Sequence, residues 1–478
     1  MLQLFCSRRR VSWQCRLLTS IHGFGKVSAA KRAGGGAARL NIWGETVKDT
    51  EFKVAAGGLK IAVLGAGVAG LTAASILSSK HQVTLFEKNS YAGGHTHTVT
   101  IPSGPDEGTP VDTGFIVFND RNYPQFIKLL KRLGITGQPS DMSFSFSSER
   151  DRLTYSSYVP RGLFAQKRNL FRPAFLRMTA DILRFNRQST RDLHEGVLGR
   201  RTLGAYIEQG SYSKPFMDFY LMPMGAAIWS TPAASMLDFP AESFLRFFDN
   251  HGLLALKGRP HWMTVPGGSS AYVRALLKDF PGKVELTSEV KSVSRKPDRV
   301  TVVLQDGRRQ DFDYAVIGAH ADEALRMLAD PTEAEKRLLG AWKYTVNHTV
   351  LHTDVRAMPW TQKSWASWNY ILEDRPEAAS PVSLTYDMNR LQSLRTRERY
   401  LVSLNRHAPY DESRVIRRLD YTHPMYTWDS FSTQEHLPSL NGVRRTFFCG
   451  SYFSYGFHED AVKSALAVTQ FFGLGLEA

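Results

Sequence analysis

Gly65, Gly67 and Gly70, followed by an acid at Glu87, have the types and spacing needed to hold a dinucleotide. Gly65 permits a tight turn, Gly67 lets the backbone approach a pyrophosphate, and Gly70 lets the next helix pack against the preceding strand. Ala66, Val68 and Ala69 complete that turn, where unpaired N–H groups and the helix dipole favour a phosphate. Glu87 can accept hydrogen bonds from both hydroxyls of an adenosine ribose. It would repel a 2′-phosphate, which disfavours NADP.

The elements that must position these residues are legible around them. Ile61 to Leu64 read as a buried strand of a parallel sheet, and Val83 to Phe86 as the next strand, with a helix between. The apolar run 61–77 is near membrane-span length, but its glycines break it into strand, turn and helix. No transmembrane segment is expected.

Further motifs narrow the cofactor. Glu87, Lys88 and Gly93-Gly94-His95-Thr96-His97-Thr98 resemble the flavin amine oxidase signature, an acid followed by a Gly-Gly-Arg-x-x-Thr loop, with His95 at the arginine position. Asp112-Thr113-Gly114 and Thr264-Val265-Pro266-Gly267-Gly268 match later steps of that superfamily, which includes the phytoene desaturases. The carboxyl end agrees: a strand from Arg445 to Cys449 runs into Gly450 and Ser451, and Glu459-Asp460-Ala461-Val462 opens a helix. The resemblance implies FAD as cofactor. It also implies that the backbone at Val290 holds the adenine and that the helix N-terminus faces the flavin ring. Tyr452 stands where the superfamily has an acid, and Asp460 where it has glycine.

Segments such as Ala226–Pro232, Trp365–Tyr370 and Gly456–Asp460 are similar to a subgroup of amine-oxidase-like proteins associated with cyclopropane-fatty-acid synthases. That association implies acyl-chain chemistry. Aligning the strand that begins at Asn347 with the family puts Asn347 at the position of the lysine that many amine oxidases use, and leaves Lys343 to reach in instead.

The expected fold is α/β, a Rossmann-like FAD domain with a discontinuous α+β substrate domain. The FAD domain takes 58–119, 246–344 and 440–478; the substrate domain takes 120–245 and 345–439. The second of these is rich in aromatics, including Trp229, Trp368, Tyr370 and Tyr386, which suits a wall that excludes water. Among acid/base candidates His251, His352 and His458, the last is favoured, since it precedes the helix that would face the flavin. No metal-binding spacing of histidines occurs, and with Cys6 and Cys15 in the leader, Cys449 is left without a disulfide partner.

The formal charge of +15 is not evenly spread. Residues 1–44 hold eight Arg and Lys and no acid, which leaves a surplus of seven beyond them. That excludes nucleic-acid binding as the main activity and marks residues 1–44 as a targeting presequence, mitochondrial or alternatively plastid. Residues 172–191 follow helical spacing, with Phe175, Leu176, Ile182 and Leu183 on one side and Arg177, Arg184, Arg187 and Arg191 on another, the pattern of a helix able to contact a membrane. The reaction expected is two-electron dehydrogenation of a lipophilic acyl-chain or isoprenoid-like substrate, with oxygen or a quinone as acceptor. Amine oxidation and a non-catalytic flavin-bound assembly factor are the alternatives.

Overall fold

Lys60–Leu64 forms a strand because its apolar side chains are buried on both faces: Ile61, Ala62 and Val63 have no exposed surface. Each fully buried aliphatic side chain of this kind contributes about 1.5–3 kcal/mol. The strand lies at the centre of a parallel sheet ordered Lys283–Glu285, Gln82–Phe86, Lys60–Leu64, Tyr314–Ile317 and Thr446–Phe448. The helix Val68–Leu77 covers one face, beside the C-terminal helix His458–Gln470. Its close approach is fixed by glycine: a Cβ at Gly70 would lie 1.9 Å from the Gly65 carbonyl oxygen.

This computed structural model describes residues 57–158, 160–230, 233–255, 257–373 and 383–477. Within the separate unit 1–53 it describes one antiparallel pairing, Arg39–Leu40 with Thr46–Val47. The rest of the expected presequence, with Cys6 and Cys15, lies outside the described residues. The fold is mixed α/β.

A second sheet has seven strands, in the order Leu153–Ser156, Phe144–Ser148, Trp368–Leu372, Leu384–Asp387, Leu401–Leu404, Tyr344–His352 and Val415–Pro424. It draws on two sequence segments, whose junction is the parallel pairing of Phe144–Ser148 with Trp368–Leu372. The helices Pro173–Glu195 and Met222–Trp229 pack on it through Phe175, Met178, Ala226 and Ala227, and Ala241–Asn250 packs on the first of these helices.

Buried Asp112 clasps the parts together. Its carboxylate accepts from Thr98 Oγ1 (2.6 Å), Ser269 N (2.8 Å), Ser269 Oγ (2.8 Å) and Gln392 Nε2 (3.1 Å). The loop after Gly94, the Pro-Gly-Gly turn and the second sheet's connection therefore share one anchor. One segment departs from the expected division: the helix Pro124–Arg132 buries Phe126, Leu129 and Leu130 in the core beside the FAD-type sheet. Its N-terminus is held there by Glu459, which accepts from the backbone of Gln125 and Phe126. Among the described residues no helix is long and apolar enough to cross a membrane.

Candidate functional site

The carboxyl ends of the parallel strands open into a cavity of about 1030 Å³ that continues under the second sheet. Gly65, with φ +98°, starts the turn. Gly67 caps the helix Val68–Leu77, with no side-chain cap and no acid in the first turn, so its leading N–H groups remain available to an anion. A Cβ added at Gly67 would meet no protein atom within 4 Å. Gly93 and Gly94 lie against this turn: Gly93 N donates to Ala66 O at 2.8 Å, and a Cβ at Gly94 would stand 3.2 Å from Gly67 Cα.

Most expected cofactor residues line this cavity: Gly65, Gly67, Val68, Ala69, Glu87, Lys88, Gly93, Gly94, His95, Val290, Gly450, Ser451 and Ala461. Glu87 is buried and orients itself by accepting from Ala66 N (2.8 Å) and Asn89 N (2.9 Å). Lys88 pairs with Glu323 at 2.6 Å. The remaining expected residues stand behind the lining. Ala66 and Gly70 build the turn, Val462 is buried in the core, and Glu459 caps the helix at 124. Asp460 accepts from Phe457 N at 3.0 Å, and burial raises its carboxyl to about 6.

Thr96 also stands behind the lining, hydrogen-bonded to Tyr272 OH and, at 2.9 Å, to His458 Nε2. His458 reaches the cavity, but its ring is stacked on Phe115 at 3.5 Å and its Nε2 also meets Tyr272 OH at 3.1 Å. Burial depresses it to about 3. The ring is thus held neutral, and its contacts place it between the Thr96 loop and the C-terminal helix.

Asn347 is buried outside the lining, where its side chain meets His423 Nδ1 (2.9 Å) and accepts from Asn405 Nδ2 (2.7 Å). Lys343 is exposed and is absent from the cavity wall. His352 is sealed in the second sheet, hydrogen-bonded to Ser403 Oγ at 2.8 Å. His251 does line the cavity, stacked on Phe247 at 3.8 Å, and burial lowers it to about 4.

Two residues that sequence reasoning passed over matter more. His320 and His423 line the cavity with His95; the His95 ring centroid is 5.8 Å from the first and 5.3 Å from the second. Burial is the main reason all three are hard to protonate: His423 falls to about 4, and His95 lies well below its ordinary value, lowered further by its two neighbours. A signal for His320 existed. It follows Gly318 at the carboxyl end of a parallel strand, where open α/β sheets bind ligands. His423 and Tyr421 alternate along Val415–Pro424, but a strand pattern alone gives no hint that this face meets the other domain.

The residues present fit FAD. The open space above Gly67 and the uncapped helix suit a pyrophosphate, and Glu87 suits a ribose. Of the buried polar atoms on the lining that have no partner among the described residues, His95 Nε2 and Tyr452 OH can serve a polar ring. Among those residues no cluster is placed to hold a metal ion, and Cys449 is free and buried.

A Rossmann-like cradle opening into a second chamber, where the cavity continues under the second sheet, defines a dinucleotide-dependent oxidoreductase. Residues 68–470 match the flavin containing amine oxidoreductase family, and the chain belongs to it, which makes FAD its cofactor. An L-amino-acid oxidase from Siganus canaliculatus is 25% identical over 300 residues, covering 58% of this chain and 53% of the relative. A 4,4'-diapophytoene desaturase (4,4'-diaponeurosporene-forming) from Staphylococcus aureus (strain Newman) is 40% identical over 79 residues, 15% of this chain and 16% of the relative. The matched chain thus spans about half or less of these curated relatives. Among solved structures, a CLA-producing fatty acid isomerase from P. acnes aligns with TM-score 0.59 and 16% identity, covering 87% of this chain and 99% of that one. A putative protoporphyrinogen oxidase from Exiguobacterium sp. 255-15 aligns with TM-score 0.62 and 13% identity, covering 88% and 99%. At such identities the likeness is one of fold.

Proposed function

We propose that the protein dehydrogenates a lipophilic substrate, an acyl chain or an isoprenoid-like chain, by two electrons. The observation that carries this reading is the second chamber's wall. It presents Phe144, Tyr155, Tyr220, Met224, Trp229 and Trp368, and its Arg and Asp, Arg259 and Asp420, are both at exposed positions. Such a wall strips water from an apolar chain and leaves a protonated amine without a counter-charge at depth. The exposed position of Lys343 and the buried one of Asn347 also favour this reading over amine oxidation.

FAD, when bound, supplies the two-electron acceptor. The protein's part is to hold the chain in the chamber, exclude water and present neutral imidazoles that can accept a hydrogen bond. The basic, acid-free residues 1–44 support a mitochondrial address, which import of a reporter fused to them would test.

The test is anaerobic absorbance of the FAD-loaded protein during addition of acyl-lipid, isoprenoid and amine panels. Bleaching by a lipid pool is the expected result. Bleaching by amines with inert lipids would overturn the reading and restore amine oxidation. Reduction by dithionite with no response to any panel would overturn it in favour of a flavin-bound assembly factor.

A further inference from the structure

The apolar side expected of a helix between residues 172 and 191 divides in the folded protein. Phe175, Met178 and Phe185 of the helix Pro173–Glu195 are buried, but Leu176 and Leu183 are 44% and 40% exposed and share the outer side with Arg177 and Arg187. The preceding turn, Lys167–Phe171, adds Leu170 at 40% and Phe171 at 84% exposed. Five of the eleven exposed large apolar side chains among the described residues lie between Leu170 and Val197. Phe171 is the most exposed of them.

Charge gathers in the same place. Residues 161–200 hold nine Arg and Lys against three Asp and Glu, a surplus of six, where the whole chain beyond residue 44 has a surplus of seven. Four of the six, Arg161, Lys167, Arg168 and Arg172, precede the helix, which itself adds one. Arg177 and Arg184 pair with Asp181, but Lys167 and Arg187 have no acidic partner among the described residues. Among the described residues, Arg168 and Arg172 bond only to backbone carbonyls of residues 151 and 152.

We propose that this face docks on an anionic phospholipid bilayer, with Phe171 and Leu170 entering the acyl region and the cations at the headgroups. Exposed aromatic and aliphatic side chains flanked by unpaired cations fit that interface. A nucleic acid would satisfy the arginines but leave Phe171 in water. From the inner side of the same helix, Ile182 and Asn186 line the cavity, so the docked surface and the substrate chamber share one wall. The proposal stands whether or not the substrate is a lipid, because it concerns binding alone.

The experiment is co-sedimentation of the FAD-loaded full chain with vesicles of phosphatidylcholine alone or with anionic phosphatidylglycerol. The basic first 44 residues are common to every variant, so differences report on this face. The expected result is binding that needs the anionic lipid. It weakens in Phe171→Ser/Leu176→Gln, and by at least about 25-fold in Lys167→Glu/Arg187→Glu, since each cation near an anionic surface is worth roughly fivefold. Flavin content and melting temperature establish that each variant is folded. In a second arm that spares the helix, Phe171→Trp gains emission that brominated acyl chains quench. Equal binding to neutral vesicles, no loss in either double variant, or unquenched Trp emission would overturn the proposal. So would binding competed away by RNA and indifferent to Phe171.

Discussion

The glycines of the first turn give a matched pair of substitutions, because one faces protein and the other faces open space. In Gly70→Ala the new methyl would lie 1.9 Å from the Gly65 carbonyl oxygen and 3.1 Å from its carbon. Both are backbone atoms, so the strand and helix would have to separate by more than an ångström. The cost should exceed the roughly 1–3 kcal/mol typical of overpacking a core. In Gly67→Ala the backbone already sits at φ −71°, ψ 175°, which alanine adopts freely, and the methyl meets no protein atom within 4 Å. The apoprotein should therefore melt within a few degrees of the parent. The methyl fills space a pyrophosphate would use, so the same overpacking cost of about 1–3 kcal/mol falls on binding instead. That corresponds to a loss of affinity of about 5- to 150-fold. The assay is thermal unfolding of both apoproteins together with FAD titration followed by flavin fluorescence. Parental FAD affinity in Gly67→Ala, or an apoprotein as unstable as Gly70→Ala, would refute the assignment of Gly67 to the cofactor.

Two further outcomes are expected. Unfolded histidines titrate near 6.5, whereas burial holds His251, His352 and His423 at about 4 and His458 at about 3. Below 6.5 the unfolded chain takes up protons the folded chain refuses, so stability is full above that pH and falls as pH drops toward 4. Asp112 and Asp460, raised to about 6, oppose this, as do Asp387 and Glu459, also raised by burial. His81, His95, His97 and His320 are lowered as well, so the histidines outnumber the acids. Melting temperature should therefore fall between pH 7 and pH 5, less steeply in His352→Asn, and a flat profile would contradict the burial argument. Arg259, at an exposed position on the chamber wall beside Tyr220, distinguishes the two lipid classes. Arg259→Ala should raise KM for a substrate with an anionic head and leave KM for an uncharged isoprenoid unchanged.

The cofactor half of the molecule was legible because local rules dictate it. A strand, three glycines, a helix and an acid in register leave one arrangement, and the strand Lys60–Leu64 and helix Val68–Leu77 fall there. Phe144–Ser148 was harder to read, since its partner Trp368–Leu372 is more than two hundred residues away and nothing local specifies the pairing. The basic helix was found by its period, but the period could not say which leucines the core would accept. Leu176 and Leu183 lost their places there to Phe175, Met178 and Phe185.

The substitution of His95 for arginine acquires its meaning only in three dimensions. An arginine would carry a permanent cation into the cavity, and its charge would need an acid or the cofactor's phosphates beside it. Here the position is part-buried on the cavity wall, with His320 and His423 as its neighbours and a hydrogen bond to the Thr422 backbone. Protonating any one of the three makes the other two harder to protonate, so the cluster stays neutral as a unit. A cavity with a neutral lining at this point suits a chain without charge along its length, the same property that the aromatic wall of the second chamber has by composition. The cluster takes His95 and His320 from beside the parallel sheet and His423 from the same sheet as the aromatic wall, so the two features meet on one face of the cavity.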